Sequence, residues 1–294
     1  MLAIDTSYND DGMKFPVYTI FGVGGLLGNA FHKRLSERVP DFRIFSFDHA
    51  RADILSPAQV GPLLDFIRPT VVINCSALSD PWTCEHARQG AFLTNARGPE
   101  VLAQECDRVG AKLVHLSTYQ VFDGKRKTPY TEKSIPRPLS AYGRSKWDGE
   151  MAVRRIIPNH LLIRPGWLFH WENKNALLDW ITAAEQGQDI GIPDARCSPT
   201  FVNDLVDAVM DLVGLDARGT FNIANSGEAT IKQLVEETLD LARLRASVVS
   251  RPNALVPRYG VLSINKYKSL CHKDPRHWSF ALKQCLFLMN RYSP

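Results

Sequence analysis

The stretch Val17-Tyr18-Thr19-Ile20-Phe21-Gly22-Val23-Gly24-Gly25-Leu26-Leu27-Gly28 decides how this chain must fold. Its first five residues are apolar or β-branched and make a short buried strand, and from Leu26 to Leu35 apolar residues recur at helical spacing. Between the two, the glycines fall as G-x-x-G-x-x-G. Glycines in that place let the backbone turn tightly, approach an anion without a Cβ in the way, and pack helix against strand. The first helical turn then offers unpaired N–H groups to a phosphate. Strand, turn and helix in this order predict a dinucleotide site, with Gly22, Gly25, Leu26, Leu27 and Gly28 at the pyrophosphate.

Further along, Arg43 to Phe47 read as a second strand ending at Asp48, whose carboxylate can take both ribose hydroxyls of an adenosine and would repel a 2'-phosphate. His49 and Arg51 follow, and a guanidinium there can receive that phosphate, so NAD and NADP both stay open as cofactors. Asp53 is expected at the adenine edge; the alternative is a cap for the helix begun by Ser56 and Pro57. Strand-like runs at 17–21, 43–47, 70–74, 111–116 and 161–164 alternate with helical patterns near 25–37, 57–67, 85–109 and 140–155. Such alternation implies an α/β fold, a parallel sheet covered on both faces with ligands at the carboxyl ends of its strands. After Arg164 the alternation loosens. Helices are expected over 176–185, 201–213 and 231–244, and a short strand over 220–224. The expected organisation is a loose extension over 1–13, a dinucleotide-binding domain over 14–165, and a mainly substrate-binding region over 166–294, from which elements can return to the first sheet.

The chemistry is signalled by Tyr142-Gly143-Arg144-Ser145-Lys146, a Y-x-x-x-K. On a helix its Tyr and Lys project from one face, and an ammonium beside a phenol favours the phenolate, which draws the pKa down from about 10. Upstream, the apolar run Leu113 to Leu116 ends in the hydroxyl pair Ser117-Thr118. A phenol, an ammonium and a hydroxyl are what protonating a carbonyl oxygen requires while hydride reaches its carbon. Tyr and Lys one turn apart are common on solvated helices. The pair gains weight from the phosphate turn that precedes it.

Composition excludes several classes. A chain of 294 residues with 45% hydrophobic and 22% charged residues is ordinary for a globular enzyme. The net charge of +4 is small, and Lys125-Arg126-Lys127 is too short a cluster for a nucleic-acid surface. Six cysteines show no C-x-x-C and no His at ligand spacing, so no metal site is expected and reduced thiols in a cytoplasmic enzyme fit best. Met1 to Gly12 is polar and acidic, unlike a signal peptide, and no run of about 18 apolar residues exists, so no membrane partner is expected.

These motifs, with Val121-Phe122-Asp123-Gly124, Pro129-Tyr130, Glu132, Pro138-Leu139, Gly149-Glu150, Ser198-Pro199-Thr200 and Asp204-Leu205, resemble the extended short-chain dehydrogenases/reductases, and most closely the dTDP-4-dehydrorhamnose reductases. The resemblance covers most of the chain. It implies a Rossmann-type doubly wound parallel sheet with a smaller C-terminal α/β substrate-binding region, and NAD(P)H-dependent reduction of a nucleotide-linked 4-keto sugar, with a homodimer as the expected assembly. By position it implies that Thr118 bonds the substrate carbonyl, Tyr142 donates the proton, and Lys146 binds the nicotinamide ribose and tunes Tyr142. Cys75, Ser76 and Ala77, after Asn74, match small residues beside the cofactor. Asn95 matches a helix Asn that supports the active site, and Trp167 a Trp facing the sugar. The chain departs from the family at Tyr119-Gln120, where the family has Asp-Tyr, and at Pro81-Trp82-Thr83-Cys84, where it has a Val-Asp element. Those positions line the family's sugar pocket, so Trp82, Tyr119 and Gln120 are substrate-binding candidates and the sugar is expected to differ. The related 4,6-dehydratases place Asp-Glu after the Thr, and Tyr119-Gln120 cannot replace that acid and base. An epimerase on the same scaffold, and a non-catalytic dinucleotide-binding subunit resembling the methionine adenosyltransferase beta subunit, are the alternatives. Thr118, Tyr142 and Lys146 together disfavour the latter.

Overall fold

Every residue of β1 (Tyr18–Phe21) is buried, as the apolar run requires. The computed structural model describes residues 16–40, 43–172 and 175–292, so the expected extension over 1–13 lies outside the described residues. From β1 the chain runs through α1 (Leu26–Ser36), β2 (Ile44–Phe47), α2 (Pro57–Ile67) and β3 (Val71–Asn74). The single helix expected near 85–109 is instead built in pieces: α3 (Pro81–His86), α4 (Arg88–Phe92), a π-helical turn (Leu93–Arg97) and α5 (Gly98–Val109). It breaks at Ala87, which leaves the helical region at φ −119° and ψ 51°. β4 (Lys112–Leu116), α6 (Ala141–Ile156) and β5 (His160–Pro165) complete the first alternation.

β1 lies between β2 and β3 in parallel register, Tyr18 opposite both Ile44 and Val71. Side chains then alternate between two cores. Tyr18, Ile20, Ile73, Val114 and Ile163 pack toward α1, while Phe21, Val72 and Leu113 pack toward α2 and α5. Each such side chain removed from water contributes about 1.5–3 kcal/mol before entropy is counted.

Beyond β5 the chain passes through β6 (Trp167–Phe169), α7 (Ala176–Glu185), β7 (Ile190–Ile192), β8 (Arg196–Cys197), β9 (Pro199–Phe201), α8 (Val202–Gly214) and β10 (Gly219–Ile223). β10 pairs in parallel with β5, Gly219 opposite Leu161, so among the described residues the sheet has six strands in the order β10-β5-β4-β3-β1-β2. α8 covers the same face as α1, with Leu205, Val209 and Leu212 in the first core. The rest of the chain forms β11 (Ala229–Thr230), α9 (Ile231–Ala242), β12 (Val248–Ser250), β13 (Tyr259–Gly260), α10 (Asn265–Cys271) and α11 (Trp278–Tyr292). Of these, α9 and α11 join α7 around a third core of Phe169, Trp180, Phe201, Leu234 and Leu282, while Tyr267 of α10 packs into the first core. α9 stops at Ala242, short of the expected Leu244, because Arg243 turns left-handed at φ 58° and its N–H closes back on Leu239 and Asp240 carbonyls.

The chain switches sides of the sheet between β1 and β3, which opens a crevice at the carboxyl ends of both strands. Among the described residues no helix is long and apolar enough to cross a membrane.

Candidate active site

Two cavities open in that crevice. The turn after β1 forms the wall of the first. Gly22 sits at φ +85°, and a Cβ there would meet the Ser76 nitrogen at 2.6 Å; a Cβ on Gly28 would meet the Gly22 carbonyl oxygen at 2.1 Å. Both glycines are demanded by protein packing. Gly22 also lines the first cavity, but Gly25 differs in the space around it: the nearest atom to its Cβ position is 3.5 Å away, and the residue faces both cavities. It is also the N-cap of α1 and carries no side chain to cap the first turn, which leaves the N–H groups of that turn for an anion.

The first cavity, about 380 Å³, also contains Asp48, His49, Asp53, Cys75, Ser76 and Ala77. Asp48 Oδ1 accepts the Arg51 backbone N–H at 3.0 Å. The Arg51 side chain is exposed and lies outside the lining. Asp53 does not cap α2. Its carboxylate accepts the Leu55 N–H at 2.9 Å, and Ser56 is the N-cap residue. A glycine open to the cavity, an uncapped helix start and a carboxylate at the end of β2 fit a dinucleotide.

The second cavity, about 310 Å³, shares Gly25, Cys75 and Ala77 with the first and contains Leu26, Leu27, Thr118, Tyr119, Gln120, Tyr142, Lys146 and Trp167. α6 delivers Tyr142 and Lys146. Its N-cap Ser140 accepts the Gly143 N–H at 3.0 Å, and Gly143 lets the helix start touch the turn at Tyr119–Val121, where a Cβ would lie 2.3 Å from the Gln120 carbonyl oxygen. Lys146 is 1% exposed and burial pulls its pKa down to about 8. The lowered phenol pKa expected from the sequence is not what burial produces: it pushes Tyr142 up to about 12, opposed only by a hydrogen-bonding interaction with Thr118. At neutral pH the site holds a protonated phenol beside an ammonium.

Asn95, unlike a mid-helix surface residue, is fully buried in the π-turn. It lines neither cavity. Its amide accepts the Leu78 N–H at 2.9 Å and donates to the Leu78 carbonyl at 2.8 Å and to Ser145 Oγ at 3.0 Å, which clamps the loop after β3 onto α6. Trp82 is 69% exposed on α3, its ring tilted against that of His86 with centroids 4.4 Å apart, and lines neither cavity. Trp167 is backed by Trp180 in a parallel stack with centroids 5.2 Å apart.

The sequence reading assigned no role to Glu150. Its buried carboxylate accepts from Ser117 Oγ at 2.6 Å, from Arg164 at 2.8 and 2.6 Å, and from Arg154 at 2.9 Å. Glu150 thereby locks α6 to the ends of β4 and β5. Its signal was its place four residues after Lys146 on one helix face, meaningful only once β5 is known to bring Arg164 beneath it. Ser79, in a stretch without periodicity, lines the second cavity, and Thr94, inside the helical pattern near 85–109, lines the first; neither carries a motif that marks it.

Known proteins resemble this chain along most of its length. The family model described as RmlD substrate binding domain matches residues 18–290. A dTDP-4-keto-6-deoxy-D-glucose reductase of Streptomyces niveus is 32% identical over 93% of this chain and 97% of its own length. A dTDP-4-dehydrorhamnose reductase of Streptomyces griseus is 31% identical, covering 92% of each. Among solved structures, a dTDP-4-dehydrorhamnose reductase of Clostridium acetobutylicum superposes with a TM-score of 0.87 at 28% identity, covering 93% of this chain and 99% of that one. The Bacillus anthracis dTDP-4-dehydrorhamnose reductase in complex with NADP gives 0.86 at 27% identity, with the same shares.

Proposed function

Because this chain belongs to the RmlD substrate binding domain family, we propose that it reduces the carbonyl of a dTDP-linked 4-keto sugar with hydride from NADPH or NADH. The observation that carries this reading is the meeting of Thr118, Tyr142 and Lys146 in a cavity continuous with a dinucleotide cradle.

Gly25 and the first turn of α1 would hold the pyrophosphate, Asp48 the adenosine ribose and Lys146 the nicotinamide ribose. Bound there, a reduced nicotinamide supplies the hydride. Thr118 bonds the substrate carbonyl oxygen and Tyr142, protonated at neutral pH, gives that oxygen its proton. The Lys146 ammonium stabilises the phenolate that remains, and a pKa of about 8 keeps it charged at neutral pH. The face of Trp167, held by Trp180, supports the sugar ring. Among the described residues no Asp or Glu lines this second cavity, so sugar hydroxyls meet the neutral Tyr119 and Gln120. A carboxylate binds hydroxyl donors about twice as strongly as a neutral acceptor. A keto sugar other than dTDP-4-dehydrorhamnose is therefore the better substrate. Recognition of the nucleotide belongs to the region over 166–294, and the enzyme works in the cytoplasm as a homodimer.

The test is oxidation of NADPH and NADH by the purified protein with dTDP-4-dehydrorhamnose, dTDP-4-keto-6-deoxy-D-glucose and further nucleotide-linked keto sugars, with identification of the product. Reduction at C4 of one of them is expected. Dinucleotide binding with no turnover of any keto sugar would leave a binding protein, not a reductase.

A further inference from the structure

His115 on β4 is fully buried, takes no part in the proton transfer above, and leaves Nε2 without a hydrogen-bond partner. Its other nitrogen settles the tautomer. Asn74, at the end of β3, uses Oδ1 to accept the Ser76 backbone N–H at 3.0 Å. The group it turns to His115 is therefore its amide N–H, and Nδ1, 3.2 Å away, accepts. A neutral imidazole that accepts at Nδ1 carries its proton on Nε2.

That N–H lies where α6 crosses the sheet. Nε2 is 3.5 Å from the position a Cβ on Gly149 would take, and that same position is 2.2 Å from the Asn95 carbonyl oxygen. Gly149 stands three residues beyond Lys146, on the same side of α6. Glycine here brings the Lys146 turn down onto His115 and Asn95. Burial, Lys146 from α6 and His160 from β5 all oppose a proton on Nδ1, and hold the imidazole well below the ordinary His range. Lys146 itself is supported in its charge by Glu150 on α6, against its own burial. A second cation at position 115 would take that support away.

We propose that His115 is a positioning residue for Lys146 and for the Cys75–Ala77 loop: fixed by Asn74 as the Nε2–H tautomer, it ties the loop to the sheet and keeps the floor under Lys146 uncharged. This rests on the role given to Lys146 above. The first readout needs no turnover, so the two readings fail separately.

Nitrogen NMR of the histidine-labelled wild type is expected to show one imidazole with a bare Nδ1 and a protonated Nε2 that does not titrate between about pH 5.5 and 8.5. Assignment of His115 to the Nδ1–H tautomer, or its titration near the ordinary value, would overturn the proposal. His115→Leu leaves the Asn74 amide N–H buried without an acceptor, so the KM for NADPH should rise about 10-fold while kcat changes less than about 3-fold. His115→Gln, which keeps an acceptor for Asn74, should restore that KM. A wild-type KM in the Leu variant, or a Gln variant as impaired as the Leu variant, would overturn it as well. If His115→Leu does not fold, the wild-type tautomer still decides.

Discussion

The two cavities that meet at Cys75 and Ala77 are built in opposite ways. The dinucleotide end is a main-chain surface: glycines, an uncapped helix start, and carboxylates half in water. The reaction end is a side-chain surface in which hydroxyls, an amide and one ammonium are desolvated together. Geometry creates the first site, so it exists as soon as the turn forms. Burial creates the second, because the same Tyr and Lys on a wet helix would have ordinary pKa values.

The largest effect that would break this contrast is loss of the phenol. Tyr142→Phe should reduce kcat about 100-fold or more while the calorimetric affinity for NADPH stays within about 2-fold. Near-normal turnover in that variant would remove Tyr142 from the chemistry. Next come the glycines, which separate space for protein from space for ligand. Gly25→Val should weaken dinucleotide binding at least about 10-fold with an unchanged melting temperature, whereas Gly28→Ala, whose Cβ collides with the Gly22 carbonyl, should lower the melting temperature as well. Equal stability of the two variants would show that the turn adapts.

A smaller effect tests desolvation. Burial lowers Lys146 from its ordinary 10.5 to about 8, so the ammonium is present below about pH 8 and lost above it, and kcat/KM should fall through an alkaline limb near that pH. Lys146→Arg should push that limb out of range. The folding linkage has a definite sign: between about pH 8 and 10.5 the unfolded chain binds the proton that the folded one has released, so this group makes stability rise with pH across that window. The smallest effect belongs to the exposed Arg51. Arg51→Ala should weaken NADPH by a few-fold and leave NADH unchanged. Equal losses for both cofactors would show that Arg51 never meets a 2'-phosphate.

Legibility in the sequence follows the same division. β1, β2, α2 and α7 lie within a residue or two of their expected bounds because each is a short apolar run or a clean helical period bounded by Gly or Pro. Strands of two or three residues such as β8 and β11 hold too few positions for an alternation to register, and the sequence reading formed no expectation for α10 or α11. In the site, the spacing of Tyr142 and Lys146 could be read directly. Their pKa values could not, because desolvation depends on what the sheet and the loop after β3 bring over them. The same limit explains Trp82, whose position suggested the sugar pocket while the start of α3 turns it outward. Asn95 required a π-turn that no local pattern announces.

β10 carries a consequence for synthesis. Until Gly219–Ile223 leaves the ribosome, the outer backbone edge of β5 has no partner, although Leu161, Leu162 and Ile163 are wholly covered in the finished sheet. Translation takes a few seconds to cover that interval, and throughout it the nascent chain exposes an apolar edge strand able to pair with any other. Truncation after β5 would make that state permanent. The first alternation made alone is therefore expected to aggregate where the full chain stays in solution, which sedimentation of the two chain lengths side by side would check.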